Sequence, residues 1–231
     1  MKTNKKVFVT GGAGYIGSHV VKALNKEGYT TLAYDSLENG YKEAVLDTNL
    51  VIGNLSNKTL LIETLKRFKP DLVMHLAAYA SVPDSVSNPL EYYDNNIING
   101  LHLLNAMRDA DVQKMVFSSS AAVYGQPDVD LISENVAKKP TNPYGRSKLH
   151  FEEILSDCDV AYGLKSVSLR YFCAAGGDSE GLIGESHKPE SHLIPVVLRS
   201  ILGIVDSIKI CGTDYPTKDG TGVRDYIHVE D

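Results

Sequence analysis

The run Asn142-Pro143-Tyr144-Gly145-Arg146-Ser147-Lys148 places a phenol and an amine four residues apart. In a helix that spacing sets Tyr144 and Lys148 side by side on one face. An ordinary phenol, with a pKa of about 10, is a poor base at neutral pH, but a neighbouring ammonium favours the phenolate. The pair can then take a proton from a substrate hydroxyl and return it. Upstream, Lys114-Met115-Val116-Phe117-Ser118-Ser119-Ser120 closes an apolar run with three hydroxyls. One of them can hydrogen-bond the reacting oxygen and hand its proton to Tyr144. Each piece alone has a plainer explanation: a tyrosine packed beside a solvated lysine, or serines that cap a turn.

The start of the chain indicates what such a site would work with. Val7-Phe8-Val9-Thr10 runs straight into Gly11-Gly12-Ala13-Gly14-Tyr15-Ile16-Gly17, and a helical pattern follows with Ile16, Val20, Ala23 and Leu24 on one side. Gly11 suits a tight turn, Gly14 the approach of backbone N–H groups to a pyrophosphate, and Gly17 the close packing of helix on strand. The helix N-terminus adds the positive end of its dipole. Asp35, at the end of the second apolar run, is placed to accept both ribose hydroxyls of an adenosine, and its charge would repel a 2′-phosphate. A glycine-rich turn or a solvated strand-end aspartate is commonplace taken singly. The succession of turn, carboxylate, serine and Tyr/Lys is far more specific. It predicts an NAD site whose nicotinamide cation stands as a second positive charge beside Tyr144.

The elements that must position these groups follow from the hydrophobic pattern. Short apolar runs, KVFVT, TTLAYD, NLVIGN, DLVMHLA, KMVFSSS and LKSVSLRYF, alternate with helical periods over 15–27, 57–68, 89–109 and 143–157. That alternation predicts an α/β fold, a Rossmann-type doubly wound parallel sheet covered on both faces, with its ligands at the carboxyl edge. Beyond about residue 175 the alternation gives way to a long loop, a short helix at 194–203, a strand at Ile208-Lys209-Ile210 and a further loop. Loops of that length in a compact enzyme usually belong to an active site.

Composition narrows the partners. The chain has 231 residues, 43% of them hydrophobic, and its formal charge of −6 offers no basic surface to a nucleic acid or an anionic lipid. Cys158, Cys173 and Cys211 are odd in number and form no C-x-x-C pair, which fits a soluble protein of the reducing cytoplasm. The basic opening MKTNKK precedes an apolar run too short for a signal-peptide core, and no stretch approaches the ~20 apolar residues of a membrane span. His19, His75, His102, His150, His187 and His228 lack a ligand spacing such as H-E-x-x-H, so packing, capping or surface roles are expected and no metal.

GGAGYIGSH, PLEYYDNNIING, FSSSAAVYG, NPYGRSK, LRYF, SHLIP and DGTGVRDYIHVED occur in that order along the whole chain. With these segments the chain resembles the extended short-chain dehydrogenase/reductases, and within them the UDP-glucose 4-epimerase family. The resemblance implies NAD contacts at Tyr15, Ile16, Asp35, Asn39, Gly40, Asn54, Leu55, Leu76, Ala77, Ala78, Ala80, Asn95, Ser120, Tyr144, Lys148 and Phe172. It implies that UDP-glucose and UDP-galactose are interconverted, Tyr144 taking the O4 proton while the C4 hydride passes to NAD and returns to the other face of a 4-keto sugar. The UDP-hexose would meet Ser120, Tyr144 and Cys173 at the sugar, and His192, Leu193, Lys209, Ile210, Cys211 and Arg224 at the nucleotide. The plainer alternative for Arg224 is an ordinary ion pair with Asp225. A homodimer through the helices at 89–109 and 143–157 is also implied. So is a division into an NAD-binding Rossmann domain (1–175) and a partial sugar-nucleotide-binding region (176–231).

The chain departs from the family pattern at Asn54, where Asp is usual, at Cys173, where Asn is, and at Cys211, where an aromatic is. Losing an amide hydrogen bond and an aromatic contact is expected to weaken UDP-sugar binding by ~1–2 kcal/mol each. The chain also ends well short of family members and is expected to be a C-terminally truncated one. Two other functions stay open. A nucleotide-sugar 4,6-dehydratase would carry an acidic pair after the strand-end serine, where this chain has Ala121-Ala122. A non-catalytic NAD- or nucleotide-sugar-binding protein would tolerate Cys173, Cys211 and the missing C-terminal part.

Overall fold

A computed structural model of the chain describes residues 3–210 and 212–231, so Cys211 lies outside the described residues. The chain forms two compact units, one ending at Tyr171 and the other running Phe172–Asp231.

The first unit is built on six parallel strands: β1 (Lys6–Thr10), β2 (Thr30–Asp35), β3 (Asn49–Ile52), β4 (Leu72–His75), β5 (Lys114–Ser118) and β6 (Lys165–Leu169), in the order β3-β2-β1-β4-β5-β6. The order reverses between β1 and β4, which opens a crevice at their carboxyl ends. Side chains alternate across each strand, and this explains runs that read as apolar throughout. Val7 and Val9 pack with Ala13, Val21, Ala33 and Val45 on one face, whereas Phe8 joins Tyr34, Leu61, Leu65, Leu103, Met115, Phe117 and Phe151 on the other.

The helices of this unit are α1 (Tyr15–Lys26), α2 (Lys58–Phe68), α3 (Val82–Ser87), α4 (Pro89–Tyr93), α5 (Asn99–Asp109) and α6 (Pro143–Tyr162). The expected single helix over 89–109 is interrupted by a π-helical turn at Asp94–Ile98, a distortion that often accompanies functional sites. Helix α6 starts where its sequence says it should. The Asn142 side chain accepts from the Gly145 N–H at 2.8 Å and Pro143 takes the first turn; the helix then runs past the expected end to a left-handed Gly163. Among the described residues no helix is long and apolar enough to cross a membrane.

Coverage on both faces holds for part of the sheet only. Met115 and Phe117 of β5 lie on the covered face in register with Ser166 and Ser168 of β6, so Val167 and Leu169 point the other way, and they are 57% and 42% exposed. On β6 the apolar positions are the uncovered ones.

Among its described residues the second unit holds a short parallel pair, β7 (Cys173–Ala175) with β8 (Tyr226–His228), and one helix, α7 (Leu193–Ile201). Because β7 pairs only with β8, it belongs to this unit. Ile208-Lys209-Ile210 is irregular and exposed, not the strand expected. A β-branched run becomes a strand only when a partner meets its backbone groups.

A Cβ on Gly17 would stand 1.9 Å from the Gly11 carbonyl oxygen, and one on Gly11, whose φ is +71°, 2.6 Å from the Ala77 nitrogen. Both obstacles are backbone, which cannot step aside. Gly17→Ala is therefore expected to lower unfolding free energy by ~2 kcal/mol or more, read as a lower urea midpoint.

Candidate active site

The carboxyl end of β5 sorts its three serines into three jobs. Ser118 hydrogen-bonds the Tyr171 hydroxyl through its side chain and accepts from Lys148 Nζ at 2.8 Å through its carbonyl. Ser119 donates to Glu152. Ser120 is left beside Tyr144, and its hydrogen-bonding side chain is the group that lowers the phenol's pKa. The Ser120 oxygen also accepts from the Ala122 N–H at 3.1 Å, so capping a turn and meeting Tyr144 are done by the same side chain.

Tyr144 and Lys148 lie one turn apart at the start of α6, with Nζ 5.8 Å from the phenol ring centroid and 5.0 Å from that of Phe117. The amine is buried, 2% exposed, and aimed at the sheet edge. Burial disfavours both charged forms: it pushes the Tyr144 phenol up to about 12, against the lowering by Ser120, and Lys148 down to about 7. Desolvation outweighs the Ser120 hydrogen bond, so the phenol is neutral without a nearby positive charge. The phenolate expected from the sequence therefore depends on the second positive charge, the nicotinamide cation, as well as on Lys148.

Three groups that the sequence patterns did not single out hold this arrangement. Asn96, buried in the π-helical turn, accepts from the Tyr79 N–H at 2.9 Å and donates to the Tyr79 carbonyl at 3.0 Å and to Ser147 Oγ at 3.1 Å. It therefore ties the loop after β4 to the catalytic face of α6. Glu152 of α6 takes Arg170 on both oxygens, at 2.8 and 2.6 Å, and Arg170 reaches the Tyr124 hydroxyl at 2.8 Å. Their signal was weak: one Asn among several in NNIING, and an ion pair 18 residues apart. His75 is a core group, 2.7 Å from Thr10 Oγ1, pushed down to about 3 by burial and then by Lys148.

At the other end of the crevice, the Gly11–Gly17 turn leads into α1 with no side-chain cap on Gly14 and no acid in the first turn, where Tyr15 and Ile16 stand. The buried Asp35 carboxylate accepts from the Ala13 N–H at 2.9 Å and the Leu37 N–H at 2.8 Å. It thereby fixes the glycine turn against β2. Gly40 lies against Ala13, with Asn39 exposed beside it. Asn54 holds the Ser56 N–H at 2.9 Å through its side chain, and Leu55 is buried. Leu76, Ala77 and Ala78 are part-buried and Ala80 exposed in the loop after β4, and Asn95 donates to Asn96 at 3.2 Å. A carboxylate oxygen that accepts one N–H retains a lone pair for a ribose hydroxyl, and an uncapped helix start accepts an anion. These residues fit a dinucleotide.

In the second unit, Phe172 is exposed and Cys173 part-buried in β7. His192 and Leu193 open α7, Lys209 and Ile210 are exposed, and the Arg224 guanidinium donates to the Val223 carbonyl at 2.8 Å. Cys211 lies outside the described residues.

Two outcomes follow. Asn96→Ala is expected to destabilise by ~1–3 kcal/mol, since Tyr79 and Ser147 lose a buried partner, read as a lower urea midpoint. Lys148 binds its proton more weakly folded (about 7) than at its ordinary 10.5, so the unfolded chain holds the extra proton between those values. Its contribution to stability therefore rises from pH 7 to pH 10.5 and is lost as pH falls through 7. Lys148→Met is expected to flatten that rise in urea titrations across the window.

Comparison with known proteins gives the same picture. Residues 7–231 match the model of the NAD dependent epimerase/dehydratase family. A UDP-glucose 4-epimerase of Lactobacillus helveticus is 49% identical over 98% of this chain and 69% of its own length. Among solved structures, the Brucella ovis UDP-glucose 4-epimerase in complex with NAD superposes with a TM-score of 0.94 at 46% identity, covering 98% of this chain and 70% of that one. The Bifidobacterium longum enzyme in complex with NAD+ and UDP does so at 0.94 and 38%, covering 98% and 71%. With its glycine turn, its strand-end serine and its Tyr/Lys pair, the chain belongs to the NAD dependent epimerase/dehydratase family.

Proposed function

We propose that this chain interconverts UDP-glucose and UDP-galactose at C4 with bound NAD. One juxtaposition carries this above all: the Tyr144 hydroxyl paired with Ser120 at the sheet's carboxyl edge, with buried Lys148 beside it. It occurs in a chain 49% identical to a UDP-glucose 4-epimerase along 98% of its length.

NAD would be held by the Gly11–Gly17 turn, Tyr15 and Ile16, with Asp35 taking the adenosine ribose and its charge disfavouring a 2′-phosphate. Asn39, Gly40, Asn54, Leu55, Asn95 and residues 76–80 complete that surface. When bound, NAD supplies the two-electron acceptor that oxidises C4 and then reduces it from the opposite side. The chain's own part is proton transfer. Tyr144, as phenolate, accepts the O4 proton and returns it after inversion, and Ser120 hydrogen-bonds the same oxygen. Lys148, anchored on the Ser118 carbonyl, orients its positive charge toward the phenolate. Cys173, His192, Leu193, Lys209, Ile210, Cys211 and Arg224 are assigned to the UDP-hexose on the family resemblance. On the same ground the NAD-binding domain is assigned to 1–175 and the sugar-nucleotide region to 176–231. A homodimer through helices 89–109 and 143–157 is supported by the exposure of Leu90, Ile98 and Leu101. The odd cysteine count supports a cytoplasmic location.

The purified chain, incubated with NAD and UDP-galactose, is expected to form UDP-glucose, resolved by chromatography. Bound NAD with no conversion by a folded chain would leave a binding protein and no enzyme. Tyr144→Phe is expected to lower kcat by ~10²–10⁴-fold while NAD stays bound. An unchanged kcat removes Tyr144 from its role.

A further inference from the structure

The loop before α7 gathers four groups with the chemistry of a metal site. Glu185, His187, Glu190 and His192 each offer one donor atom, and the four donors lie within 4.8 Å of one another. They come from one short stretch of spacing E-x-H-x-x-E-x-H, so local backbone alone brings them together. His187 Nδ1 stands 3.3 Å from Glu185 Oε1 and 3.6 Å from Glu190 Oε2. His192 Nδ1 stands 3.7 Å from Glu190 Oε1 and hydrogen-bonds Glu185 Oε1.

Those separations are informative. A charge-assisted N–H···O bond closes to about 2.7–2.9 Å. Two ligands of a tetrahedral ion with bonds of about 2.0–2.1 Å are held about 3.3–3.4 Å apart. The separations of His187 from both carboxylates and of His192 from Glu190 fall at or just beyond the second spacing, the two to Glu190 being to its two different oxygens, while the His192–Glu185 pair is closed as a hydrogen bond that an ion would replace. The carboxylates are the buried members, with side chains 6% exposed at Glu185 and 3% at Glu190. Glu190 is further fixed by the N–H groups of His187, Ser191 and His192, at 3.3, 2.9 and 3.0 Å. His192, at 62%, faces solvent and leaves an ion a way in. Two buried carboxylates also make a charge that a dication neutralises in full.

We propose that Glu185, His187, Glu190 and His192 form a tetrahedral site for a divalent first-row transition ion, with zinc the best fit. Two imidazole nitrogens and two carboxylate oxygens suit zinc and its neighbours, whereas calcium and magnesium take oxygen alone. The bound ion ties the loop to the first turn of α7, whose N-cap is His192. Its role is structural: resting on the proposed function, it holds in place the loop whose His192 and Leu193 are assigned to the UDP-hexose, and takes no part in proton or hydride transfer at C4.

The test uses the 231-residue chain without an oligohistidine tag, stripped with EDTA and titrated with ZnCl₂ by calorimetry and with CoCl₂ by visible absorption. Expected are one equivalent of zinc per chain, a higher Tm, and intense tetrahedral cobalt bands that zinc displaces. His187→Gln and Glu190→Gln are each expected to weaken zinc binding by roughly 100-fold, while His150→Gln, on the exposed side of α6, leaves it unchanged. Absence of saturable binding, weak octahedral cobalt bands, or wild-type affinity in either cluster variant would overturn the site and leave a cluster of ordinary ion pairs. If a variant does not fold, the stoichiometry and cobalt spectrum of the unaltered chain decide the matter.

Discussion

A buried amine held on a strand-end carbonyl organises the first unit. Lys148 Nζ donates to the Ser118 oxygen at 2.8 Å, with the rings of Phe117 and Tyr144 around it. A primary amine is costly to bury, and this one keeps its place because α6 is fastened to the sheet by further bonds. Glu152 and Arg170 join the middle of α6 to the end of β6, and Asn96 joins its first turn to the loop after β4. Phe151 fills the space between α6 and β5. With α6 so fixed, the phenol has one position, against Ser120, and the low dielectric there leaves it neutral until another positive charge arrives.

The same economy governs the dinucleotide end. Asp35 is a fold residue before it meets any ligand, since its two oxygens take the N–H groups of Ala13 and Leu37 and so set the glycine turn against β2. Gly11 and Gly17 let that turn touch the β4 loop and the first turn of α1, where any side chain would strike backbone. Ribose recognition and the shape of the turn therefore depend on one carboxylate. Its replacement disturbs both.

The second unit is organised differently. Among the described residues its helix α7 has no buried member, its strand pair is three residues long, and its apolar burial is confined to residues such as Ala175 and Ile183, with the loop before α7 drawn together by His–Glu contacts. Val167 and Leu169 of β6 likewise lack cover. The chain spans about 70% of the length of the relatives it matches.

Much of the first unit was legible in the sequence because its signals are local. Glycine next to a strand, Asn-Pro before Tyr144, and apolar runs of strand length each act within a few residues, and β1, β2, α2 and the start of α6 follow from them. The motif segments likewise identified the family. Tertiary structure decided what depends on distant partners. It chose Ser120 among three serines, because Lys148, Tyr171 and Glu152 claim the other two. It broke the helix over 89–109 at Asn96, left residues 208–210 irregular, and exposed the apolar side of β6. It also gathered two histidines and two glutamates whose spacing matches no familiar ligand motif. Sequence fixes the local preferences of a chain, whereas burial, and with it the charge state of Tyr144 and Lys148, exists only once separate elements have closed around them.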